Sequence, residues 1–150
     1  MFISVTARYS EHAQRDTDRY AAWRAGVQQL RDDWADGKRP QASELRQYLQ
    51  AVPEQHRAEA LQDLVAEQMR LAWQAGRGPR LDIYVTEFGQ ESAQFVSLEV
   101  VPADLVEDEF LARFQFPHGD APMLEEYAQR FPKRSNVMEL LQERILGGVP

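Results

Sequence analysis

The sequence predicts an all-α domain of six to eight helices, built from three imperfect copies of one unit, and three observations predict it. Gly37-Lys-Arg-Pro40, Gly76-Arg-Gly-Pro79 and Gly119-Asp-Ala-Pro122 share the spacing G-x-x-P. Each is followed by four residues at i, i+3, i+4, i+7 that share one helix face: Leu45, Tyr48, Leu49, Val52; Leu81, Tyr84, Val85, Phe88; and Leu124, Tyr127, Ala128, Phe131. A helix breaker then closes each set, as Pro53, Gly89 or Pro132. Upstream, Trp34 and Trp73 stand three residues before their glycines, and Phe114 stands five before its own. The implied unit is a longer helix ending in an aromatic, a turn, and a short helix carrying a tyrosine. Units fall at about 17–52, 54–88 and 103–131, with a terminal helix at 135–147.

In chain order, Tyr20, Trp23, Val27, Leu30 and Trp34 recur in steps of three and four, a narrow stripe for helix packing, with Asp16 or Thr17 as its cap. Pro53 is expected to open the second long helix at its first position. Its buried face is Leu61, Leu64, Val65, Met69, Ala72 and Trp73, and Gly76 is expected to end it in a conformation that only glycine adopts cheaply. Leu105, Val106, Glu109, Phe110 and Phe114 mark a third helix; Val137, Leu140, Leu141 and Ile145 mark the last. Phe2-Ile3-Ser4-Val5 and the stretch from Phe95 to Val101 resist this pattern, being rich in β-branched and aromatic residues. The second reads as a short helix or an extended connection over the core. Leu45, Tyr48, Leu61, Leu64, Val65, Leu81, Tyr84, Phe110, Leu124, Tyr127 and Leu140 are expected to be buried together. The three tyrosines pack there with their hydroxyls at the edge of the core.

With 150 residues, 43% of them hydrophobic and 27% charged, the chain has the apolar mass for a core of its own. It contains no cysteine, which excludes disulfides, thiol nucleophiles and thiolate metal sites. The longest apolar run is Tyr20 to Trp23, too short for a membrane span or a signal-peptide core, so a cytoplasmic location is expected. Net charge is −7, concentrated between Asp82 and Glu126, where eleven acids face one base, Arg113. That balance argues against nucleic acid and anionic membranes as partners.

Gly119-Asp-Ala-Pro-Met-Leu-Glu-Glu-Tyr-Ala-Gln-Arg-Phe-Pro132, preceded by Asp104 to Phe114, resembles the helical region before the catalytic domain of planctomycete-type serine/threonine protein kinases. Gly76 to Tyr84 looks like a second copy, and the resemblance extends over about residues 50–146. Arg80 and Met123 stand where that family usually has a serine or threonine able to cap the short helix. The resemblance implies a regulatory or docking segment of a kinase, and not the kinase: a nucleotide loop, a strand lysine and the catalytic and metal-binding aspartates are all missing. His56-Arg57-Ala58 and Glu87-Phe88-Gly89 imitate two kinase motifs only superficially.

Other chemistry finds little purchase. His12, His56 and His118 are widely separated, and no metal or cofactor site is expected. The expected role is a non-catalytic interaction module of a bacterial kinase-signalling protein, binding a protein partner, either a kinase domain in cis or another signalling protein. The alternatives are a free-standing helical adaptor or oligomerisation protein, and an enzyme with an unrecognised site. The candidate partner surface is acidic: Asp104, Glu107, Asp108, Glu109, Asp120, Glu125 and Glu126. Such a face speeds association with a basic partner, although acids near helix N-termini also favour the macrodipole.

Overall fold

The computed structural model describes residues 24–147, and among them every regular element is a helix, with no strand. Helix α1 covers 24–35. An eight-residue 3-10 helix, Ala42–Leu49, follows the first turn, and a one-turn 3-10 segment, Glu54–His56, leads into α2, Arg57–Ala75. Then come α3, Leu81–Phe88, a short 3-10 turn, Ala93–Phe95, and α4, Ala103–Gln115. Helices α5, Leu124–Arg130, and α6, Ser135–Leu146, complete the order. Pro53 therefore precedes a 3-10 lead-in, and the α-helix itself starts at Arg57. Asp16, Thr17, Tyr20, Trp23, His12 and Phe2 to Val5 lie outside the described residues.

The centre of the fold is the pair α2 and α4, with the 42–49 helix against α2, and α6 against α4 and α5. Leu61, Leu64, Val65, Met69 and Trp73 of α2 meet Leu105, Val106 and Phe110 of α4, all essentially without solvent contact. Leu45, Tyr48, Leu81, Tyr84 and Tyr127 join the same core from the short helices. Two expected members fall short of full burial: Leu124 packs half-buried against the core, and Leu140 is half-buried outside it. The seated pair of α6 is Val137 and Leu141, spaced i, i+4, and Leu140 lies about 100° away from Leu141 around the helix.

The first short helix departs from its copies for a legible reason. Leu45 stands five residues after Pro40, whereas Leu81 and Leu124 stand two after Pro79 and Pro122. With that extra length the segment winds as a 3-10 helix, whose three-residue period lines up Ala42, Leu45 and Tyr48 toward the core. Val52 leaves that face and packs with Ala60 in a small separate cluster. Ala128, the third residue of the last quartet, is exposed.

The turns are alike in position and different in detail. Gly37 and Gly119 take left-handed conformations, φ 90° and 78°, that a side chain would strain. Gly76, contrary to expectation, is extended at φ 173°, and its missing side chain would meet nothing. The glycine that space demands is Gly78, because a Cβ there would lie 2.5 Å from Cδ1 of Trp73. The Trp73 indole lies in the core and donates from Nε1 to the Pro79 carbonyl at 2.8 Å. In the first unit, Arg39 takes the place of Gly78 and its guanidinium stacks 4.7 Å from the Trp34 ring. In the third, Phe114 is exposed, and Phe116, three residues before Gly119, packs on the core instead. The stretch after α3 is neither a strand nor one helix: Phe95 and Val101 are buried anchors, and Val96 and Val100 face solvent.

Candidate functional site

The seven acids of the candidate surface do not form one face. Glu109 is fully buried, because α4 turns it inward with Phe110. Asp120 and Glu126 are bound by arginines, and Glu107 pairs with Arg144 of α6. Among the described residues, only Asp104, Asp108 and Glu125 of the seven form no ion pair. The acidic middle of the chain is neutralised by arginines from its flanks: Arg46 binds Glu87 and Glu91, and Arg130 binds Asp82 and Glu109. Sequence order hid these pairings, since the partners stand 21 to 48 residues apart.

Glu109 organises the boundary between the second and third units. Its Oε1 accepts from the Tyr127 hydroxyl at 2.6 Å and Arg130 Nη1 at 2.5 Å; its Oε2 accepts from the Leu81 amide at 2.6 Å and Arg130 Nη2 at 2.9 Å. Arg80 supplies no side-chain cap to α3. Instead, a carboxylate from α4 takes the first orphan amide of α3 and sits at the positive end of its dipole. One turn further along α4, the fully buried Arg113 grips Glu126 in a two-bond fork at 2.5 and 2.9 Å. Asp120 receives Arg80 at 2.8 Å and Arg77 at 3.0 Å. The Arg80 hydrogen bond, opposed by burial and reinforced by Arg77, holds the Asp120 carboxyl below its ordinary range. His118, at φ 46°, brings its Nε2 within 2.6 Å of the Trp73 carbonyl and closes the same boundary.

The boundary between the first and second units has the same skeleton. The Tyr84 hydroxyl donates to Gln68 Oε1 at 2.7 Å, and Gln68 Nε2 donates to the Pro40 carbonyl at 2.8 Å. Gln68 thus does for this boundary what Glu109 does for the next, bonding its own unit's tyrosine and the backbone of the preceding turn. Four residues after Gln68 stands Ala72, where four after Glu109 stands Arg113. Two residues into the short helices, Ile83 corresponds to Glu126; one residue into the turns, Arg77 corresponds to Asp120; after the prolines, Gln41 corresponds to Arg80. Every counterpart of the ion-paired plug lines an open groove of about 440 Å³. Ile83 is half-exposed there, beside Ala42 and Pro79. The repeat pattern was visible in the sequence, but this exchange of arginine and glutamate for alanine and isoleucine was not drawn from it.

A larger groove, about 860 Å³, runs between α1, α2 and α4 with Arg31, Arg70, Glu67 and Asp108 among its lining. Arg31 and Arg70 both bind Glu67, at 2.8 and 2.6 Å. Burial, with help from Asp104, Glu107 and Asp63, pushes the Asp108 carboxyl up to about 6. His56 ends the 3-10 lead-in and Glu87 belongs to α3, so the kinase-like triplets are parts of helices. Among the described residues no cluster of His, Asp or Glu is arranged to hold a metal ion, and no helix is long and apolar enough to cross a membrane. No protein family, curated protein or solved structure matches the chain.

Proposed function

We propose that this chain is a non-catalytic protein-interaction module of a bacterial serine/threonine kinase-signalling protein. The observation that carries the interaction half is the open groove between the first and second units, at the place where the next boundary is filled by Arg113 and Glu126. Stacked helical units bury a common core and present the seams between them as binding surfaces. The kinase half rests on the resemblance of Gly119 to Pro132. Its distinctive residues, Asp120, Glu126, Tyr127 and Arg130, make the ion-paired boundary here, so a chain sharing that string would share this clasp.

The test is site-specific photo-cross-linking in the source cells, with a benzophenone amino acid replacing Ile83 and, separately, exposed residues on other faces. A serine/threonine kinase among the cross-linked products, with purified chain altering its phosphorylation rate, is the expected outcome. No kinase product from any position would overturn the reading. Calorimetry of the isolated chain with Mg-ATP is expected to give no binding heat, and saturable micromolar binding would point to catalysis instead.

A further inference from the structure

We draw no further inference here: the strongest candidate, the groove of about 860 Å³ between α1, α2 and α4 with Asp108 half-buried in its wall, is lined by Arg24, Arg31 and Arg70 as well as by Asp63, Glu67 and Asp108, so that its charges favour neither sign of ligand, and nothing in the structure shows what covers it.

Discussion

The Tyr127 hydroxyl donates to Glu109 at 2.6 Å, and both residues are sealed from solvent. The same Glu109 holds Arg130 and the first amide of α3, so one carboxylate ties three helices together. Removing one partner of a buried pair leaves the other charge uncompensated, which costs about 3–5 kcal/mol. Glu109→Ala is expected to lose that much in urea unfolding, since Arg130 would keep only Asp82 and Glu126. A loss under about 1 kcal/mol, the scale of an exposed pair, would show that solvent reaches the site.

Each unit bonds its short-helix tyrosine to its own long helix: Tyr48 to Asp33, Tyr84 to Gln68, Tyr127 to Glu109. Burial is the leading reason all three phenols ionise less readily than usual; Tyr48 is pushed up to about 12. Truncation to phenylalanine separates the three. Tyr127→Phe, which takes one of the four hydrogen bonds from a buried carboxylate, should cost about 1.5–3 kcal/mol, and Tyr84→Phe, with a neutral amide partner, about 0.5–1.5 kcal/mol. Denaturant midpoints in that order check the prediction, and equal losses would mean that the charge on Glu109 adds nothing to its bond with the hydroxyl.

The two glycines of the second turn should behave oppositely. Gly78→Ala drives a Cβ into the Trp73 ring, whose Nε1 is pinned to Pro79, so neither side can yield. Overpacking of this kind costs about 1–3 kcal/mol. Gly76→Ala meets nothing in an extended backbone and should be neutral or stabilise by about 0.4–1 kcal/mol through the unfolded chain. Thermal melts of the two variants compare them directly, and a destabilised Gly76→Ala would contradict the extended geometry.

What the sequence made legible was periodic. Spacing by three and four located α2 and α4 and nearly all of the core, because a helix repeats its inward face regardless of what it packs on. The 3-10 winding of residues 42–49 was hidden because Leu45, Tyr48, Leu49 and Val52 fit an α-helical face equally well; only the extra length after Pro40 distinguishes it. The acidic candidate surface dissolved for a different reason. Charge counted along the chain says nothing about Arg77 and Arg80 arriving from the second unit or Arg130 folding back from the short helix, and Glu109 sits on the inward stripe beside Phe110, where a carboxylate survives only with partners. Asp104 and Glu125 remain solvent-facing, as their sequence context suggested.

Asp108 gives the fold an unusual pH dependence. Burial first, then Asp104, Glu107 and Asp63, raises its folded pKa to about 6 from an ordinary value of 3.8. A carboxyl raised on folding prefers its proton in the folded state, so its contribution is complete below about pH 4 and is lost as pH climbs through 6. Glu67, Glu91 and Asp120 are shifted the other way, by Arg31 and Arg70 (against burial), by Arg46 and by Arg80, and their contribution is lost as pH falls below the ordinary carboxylate range. The two effects together place the maximum near about pH 4.5, because Asp108 loses its contribution progressively between about pH 4 and 6. Asp108→Asn removes only the first. At pH 7 it is expected to stabilise the protein by about 1 kcal/mol, a figure reduced for the solvent that still reaches the group. At pH 4 the variant and the parent should unfold at the same denaturant concentration. Urea midpoints at both pH values are the measurement, and a stabilisation that persists unchanged at pH 4 would mean that the asparagine acts through packing and not through the proton.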